Sequence, residues 1–248
     1  MHRSAPRLTR ILACAAVVPA LLVTAACSSD DSDASGSKGA GVPSSAAAAG
    51  SASPSPSAKP SPSVAPAKFA KLPDACKTLG EKTVDELVPE AKKKGGTPGR
   101  STDLGARAAC SWNGLDDKGV KGSDYRWIDV SLLRFESEQA IGSAEQRAQR
   151  KYTDKVAETQ TLEGAKKVAA APAEGVGNEA TTVTYDLTKT DADFRYAVVV
   201  ARTENVVVTV SYNGTGYAGA KAPSSEDMVE GAVKAAKEAV AAVAKANS

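Results

Sequence analysis

Few side chains in this sequence have the types and spacing needed for concerted chemistry. The one histidine is His2, inside a leader expected to be cleaved, so histidine triads, histidine general bases and histidine-ligated metals are excluded from the mature chain. Ser35 and Lys38 have the S-x-x-K spacing of a serine nucleophile with a lysine base. They lie in low-complexity sequence, and no S-D-N or K-T-G accompanies them. Gly175-Val176-Gly177-Asn178-Glu179-Ala180 satisfies the dinucleotide pattern G-x-G-x-x-A, but that loop has to follow a strand and open a helix. Here an Ala/Pro-rich stretch precedes it and a strand follows, so no cofactor is expected. Adjacent Asp116 and Asp117 diverge in space and read as a solvated turn. Cys76 and Cys110 form no C-x-x-C redox pair, and without histidine they make a poor zinc site. Trp112, Tyr125 and Trp127 are candidate binding residues, able to line an apolar or sugar-stacking groove or else to fill the core. No catalytic residue and no metal site is assigned.

The elements that must position these residues begin after a leader. Arg3, Arg7 and Arg10 are the only charges before position 30, and the sixteen residues Ile11 to Ala26 are apolar and end in Ala25-Ala26-Cys27. A positive n-region, an h-region and a small-residue cleavage site make 1–26 a signal peptide. Sixteen residues fall short of the roughly 20 that a membrane-spanning helix needs. Val23-Thr24-Ala25-Ala26-Cys27 resembles the lipobox of bacterial lipoproteins, with Thr24 where Leu is usual. The resemblance implies that Cys27 becomes the N-terminus, carries a diacylglycerol thioether and anchors the chain to the outer face of the cell membrane. Of 31 basic residues the leader takes three, leaving 28 against 29 acidic ones, a net charge of −1. No basic surplus points to nucleic acid.

Residues 27–68 read as a disordered tether. From Ser28 to Lys68 there are 13 Ser, 10 Ala, 6 Pro and 4 Gly, with only Val42 and Val64 as larger apolar side chains. Such a segment buries too little surface to offset its ordering entropy. Its inferred role is spacing.

Phe69 to Ser248 contains all eleven aromatic residues and suits one domain with a sizeable core. Cys76 and Cys110 are its only cysteines, and an extracytoplasmic compartment predicts that they form a disulfide, the alternative being two buried thiols. Asp74 is placed to cap a short helix with Cys76 and Leu79, and Val84, Leu87 and Val88 form a second turn ending at Pro89. Lys92 to Gly99 reads as a loop. Ala109–Trp112 and Tyr125–Phe135 read as strands. Ile128, Val130 and Leu132 line one side of the second, and Tyr125, Trp127, Leu133 and Phe135 the other, which predicts a central strand covered on both faces. Ser137 is expected to cap a helix presenting Ala140, Ile141, Ala144 and Ala148. After a low-information Ala/Lys stretch, Thr181–Leu187 reads as a strand. Phe194–Thr203 and Val206–Tyr212 form a hairpin turning at Glu204-Asn205, with Thr203 opposite Val206, Ala201 opposite Val208 and Val199 opposite Val210. A last helix starts at Ser224 and carries Val229, Val233, Ala236, Val240 and Val243 on one face. The fold class is α+β, a mostly antiparallel sheet with helices packed on it.

An early cysteine after Pro73-Asp74-Ala75, a later Cys110-Ser111-Trp112, the Gly175-Val176-Gly177-Asn178-Glu179-Ala180 turn, a Val-rich hairpin and an amphipathic last helix together resemble actinobacterial lipoproteins grouped as a domain of unknown function. The resemblance covers about residues 74 to 245. It implies an exported, membrane-anchored α+β domain with a disulfide, and neither catalytic residues nor a substrate. The expected function is a non-enzymatic module that binds a small molecule or a protein. A sensor or accessory subunit of a membrane or cell-wall enzyme, and a histidine-free hydrolase, are the alternatives.

Overall fold

The computed structural model describes residues 63–248. The leader, Cys27 and the tether as far as Pro62 lie outside the described residues.

Asp74 accepts a hydrogen bond from the Cys76 amide and caps a single 3-10 turn, Ala75–Lys77. Helix α1 follows at Glu81–Leu87 and stops before Pro89, as the sequence predicts. Next come β1 (Thr97–Pro98), β2 (Arg107–Asp117), β3 (Ser123–Arg134), α2 (Ala144–Gln160), β4 (Lys166–Pro172), β5 (Glu179–Lys189), β6 (Ala192–Thr203), β7 (Val206–Tyr217) and α3 (Ser225–Ala246). The seven strands form one sheet in the order β1-β2-β3-β7-β6-β5-β4, antiparallel throughout. Two meanders therefore meet where β3 pairs with β7. The β6–β7 hairpin has the predicted register, Thr203 with Val206, Ala201 with Val208 and Val199 with Val210.

Period-two alternation sorts these strands onto two faces. Ile128, Val130 and Leu132 of β3 join Ala197, Val199 and Ala201 of β6 and Val206, Val208 and Val210 of β7 on the first face, beneath α1 and α3. The second face carries Val183, Tyr185, Tyr196, Val198 and Val200 beneath α2.

The departures from expectation have local causes. Gly142 has φ 123°, which no right-handed helix accommodates, so the helix predicted from Ser137 begins only at Ala144. Ser143 caps it in a reciprocal box with Gln146, and Ile141 lies in the preceding turn, 49% exposed. Ser137 instead accepts a hydrogen bond from the Ala144 amide and donates one to the Ala65 carbonyl. Contacts with the domain thus reach at least four residues ahead of Phe69. Strand β4 is exposed along its whole length and forms by pairing with β5; Lys-Lys-Val-Ala-Ala-Ala-Pro carries almost no intrinsic signal for it. The Lys92 to Gly99 loop contains the two-residue β1. On α3 the deepest positions are Ala232, Ala235, Ala236, Ala239 and Val243, while Val229, Val233 and Val240 flank them. Small residues bring this helix close to the sheet.

Candidate functional site

The sheet's second face is covered unevenly. Helix α2 lies over β5, β6 and β7 and meets β3 and β7 along a groove of about 300 Å³. Antiparallel register builds the groove floor in rows, because residues paired across strands share a face. Ser111, Asp129 and Ser211 lie side by side on β2, β3 and β7, and Ala109, Ser131 and Thr209 form the next row. On the other side of Asp129 the row is Asn113, Trp127 and Asn213. Lys155, Glu158 and Thr159 of α2 form the wall, and Tyr185 and Val198 the inner end.

Asp129 dominates the electrostatics of this groove. Its side chain makes no hydrogen bond or ion pair with any described residue, and burial raises its carboxyl to about 6. Desolvation alone is the cause, since it disfavours the charged form and no cation lies near enough to restore it. The lysine on the wall is already engaged, with Lys155 Nζ 2.8 Å from Glu158 Oε1. That contact holds the Glu158 carboxyl below its usual range. Tyr185 stacks on Tyr196 at a centroid separation of 4.7 Å, and burial pushes its hydroxyl up to about 12. The groove therefore offers one unmatched carboxylate among serine and threonine hydroxyls.

The three aromatics singled out in the sequence do not converge. Trp112 is a correction: it is 2% exposed in the first-face core, and its Nε1 donates to the Lys94 carbonyl at 3.0 Å. It is no binding residue. Tyr125 is on the second face but packs edge-on against Phe194 and Tyr217, with centroids 5.9 and 6.5 Å away, at the far end of β3. Only Trp127, half-buried, adjoins the Asp129 row. Cys76 and Cys110 are joined, with sulfurs 2.07 Å and Cα atoms 5.1 Å apart. Sequence reading missed Asp129, Ser131, Thr209 and Ser211. The available signal was a charged residue in the middle of an apolar strand expected to be covered on both sides.

Gly175 and Gly177 both have positive φ, 72° and 63°, in a turn that leads into β5 and opens no helix. Asn178 Oδ1 accepts from the Glu204 amide at 2.6 Å, and the Asn178 amide donates to the Arg202 carbonyl at 2.8 Å. The motif docks one turn onto the β6–β7 hairpin, which is a structural role. Among the described residues no cluster of His, Cys, Asp and Glu is arranged to hold a metal, and no helix is long and apolar enough to cross a membrane.

No family model matches the chain, and no curated protein is similar to it. Among solved structures it is similar to LpqN, described as involved in cell envelope biogenesis of Mycobacterium tuberculosis, at 12% identity over 58% of this chain and 87% of LpqN, with a TM-score of 0.31. A superposition that loose does not establish a common fold.

Proposed function

We propose that this protein is a lipoprotein held at the outer face of the cell membrane through Cys27, whose domain is a non-enzymatic binding module with its site in the groove between α2 and β3. The observation that carries the site is Asp129, a half-buried carboxylate without a hydrogen-bond or ion-pair partner among the described residues, in a groove where Ser131, Thr209 and Ser211 bring hydroxyls beside it and a Lys155–Glu158 pair forms part of the wall. A partly buried charge without a partner opposes folding, and residues that do so concentrate where a ligand supplies what the fold withholds. Glu158 shares the groove, and two carboxylates with pKa values pushed apart are the mark of an acid–base pair. Its side chain, however, is 60% exposed and held by Lys155, which leaves Asp129 without a sequestered second group and favours binding over hydrolysis.

Native and denaturing mass spectra of the mature chain, purified from an exporting host, test the site. A noncovalent adduct present in the native spectrum and lost in Ser211→Trp, which fills the groove floor, is the expected result; an adduct retained by that variant places binding elsewhere. Turnover of aryl glycosides or esters that disappears in Asp129→Asn overturns the non-enzymatic reading. For the anchor, Cys27→Ser is expected to move the protein from the membrane fraction to the medium.

A further inference from the structure

Two larger concavities differ from the Asp129 groove in the exposure and pairing of their charges. Beside the α3 N-terminus, a cavity of about 370 Å³ is lined by charges of both signs; Lys118 pairs with Asp116 and Asp124 and Lys234 with Glu86, and the carboxylates of Asp227 and Glu230 are solvent-exposed. Between β4 and α3, a groove of about 620 Å³ is lined largely by Ala169, Ala171, Val229 and Val233 and carries no unpartnered buried charge. In the groove over β3 and β7, by contrast, a half-buried carboxylate has no hydrogen-bond or ion-pair partner among the described residues.

We propose that this groove takes a small organic cation, an ammonium group carried on a hydroxyl-bearing skeleton, with Asp129 as its counter-ion. This rests on the reading of the groove as a binding site and names what it selects. The titratable groups that face Asp129 are Lys155 and Glu158 of α2 and Tyr185 of β5. The first two neutralise each other and the third keeps its proton at physiological pH, so the groove has a net charge of one carboxylate. An ammonium group supplies three donors and a full positive charge to a carboxylate that has neither, and charge-assisted hydrogen bonds are about twice as strong as neutral ones. Ser131, Thr209 and Ser211 surround it with hydroxyls able to donate or accept, which suits the polar remainder of such a ligand. A neutral polyol satisfies the hydroxyls but leaves the carboxylate's charge uncompensated.

The test uses two pairs of ligands matched in skeleton, glucamine against sorbitol and ethanolamine against ethylene glycol. Each is titrated into the mature lipoprotein in detergent and followed by amide chemical shifts. The ammonium member of each pair is expected to perturb Asp129, Ser131 and Ser211 and to bind at least about tenfold more tightly than its alcohol, with Asp129→Asn erasing the difference. Because only the ionised carboxyl pairs, affinity is expected to fall by about tenfold between roughly pH 7.5 and pH 5, as a group titrating at about 6 takes up its proton. Equal affinity for amine and alcohol at these residues overturns the cation inference and leaves the groove a binding site. Groove residues left unperturbed by both amines also overturn it, while an adduct lost in Ser211→Trp independently preserves the binding reading. Asp129→Asn folding is checked by its amide spectrum, and Asp129→Glu, which keeps the charge, is expected to retain the preference.

Discussion

At the scale of one residue, Asp129 places a function-like feature against stability, and the sign of its effect follows from linkage. The folded carboxyl titrates at about 6, whereas an unfolded aspartate titrates near 4. Between those values the folded chain holds more protons than the unfolded one. Stability therefore falls as pH rises through this window and levels off above it, and the shift of roughly two units amounts to about 3 kcal/mol at neutral pH. Asp129→Asn removes the charge without changing shape, so it is expected to stabilise the domain by about 1–3 kcal/mol at neutral pH, with the gain vanishing near pH 4. Urea denaturation at the two pH values measures this. A loss of stability at neutral pH would mean that the carboxylate has a stabilising partner and that the argument for a ligand fails. A charge in a strand expected to be covered on both faces was a legible signal, but alternation sorts Asp129 to a face without saying whether a cation on the covering helix meets it. Trp112 misled for the complementary reason: aromatic type and strand position do not distinguish a ring in a pocket from one whose indole nitrogen is bonded to the Lys94 carbonyl.

At the scale of the element, strong local signals predicted well and non-local ones poorly. The hairpin register was legible because β-branched residues on both strands and a two-residue turn admit few alternatives. Strand β4 was not, because its alanines and lysines become a strand only by pairing with β5. The valines of α3 led to a face displaced from the true contact, since spacing weights bulk whereas the sheet selects closeness. Gly231 shows how close: a Cβ there would stand 2.7 Å from the Tyr212 ring and 2.9 Å from Leu87 Cδ2. The tyrosine is held in place, its hydroxyl donating to the Leu87 carbonyl at 2.7 Å. Alanine is the better helix former by about 1 kcal/mol, yet overpacking a buried contact costs typically 1–3 kcal/mol. Gly231→Ala is therefore expected to lower stability by up to roughly 2 kcal/mol net. A raised thermal midpoint would show that α3 rides above the sheet with room to spare.

At the scale of the whole molecule, what matters is how the chain arriving from the expected anchor is secured to the domain. The Cys76–Cys110 bond, spanning 34 positions, ties the first turn to β2. On the chain-entropy account it contributes about 3–4 kcal/mol, so replacing both cysteines by alanine is expected to lower the urea midpoint accordingly, and an unchanged midpoint would mean that the first-face packing alone holds this layer. Upstream of the disulfide, Phe69 and Leu72 pack against the first-face core and a set of polar contacts fixes the backbone. Asn205, 1% exposed, accepts from the Phe69 amide at 2.8 Å and donates to the carbonyls of Phe69 and Phe135 at 2.9 and 2.8 Å. Lys68 pairs with Glu204 beside it, and the amides of Ala70 and Lys71 donate to Asn247 at the end of α3. Side-chain hydrogen bonds of this kind contribute about 1 kcal/mol each, and orphaning a buried partner costs more. Asn205→Ala is accordingly expected to destabilise the domain by about 2–3 kcal/mol and to speed hydrogen exchange at the Phe69 amide ahead of the β6–β7 ladder. Equal acceleration across β6 and β7 would show instead that Asn205 serves the hairpin turn alone, and that the incoming chain is held by Lys68, by Asn247 and by the packing of Phe69 and Leu72.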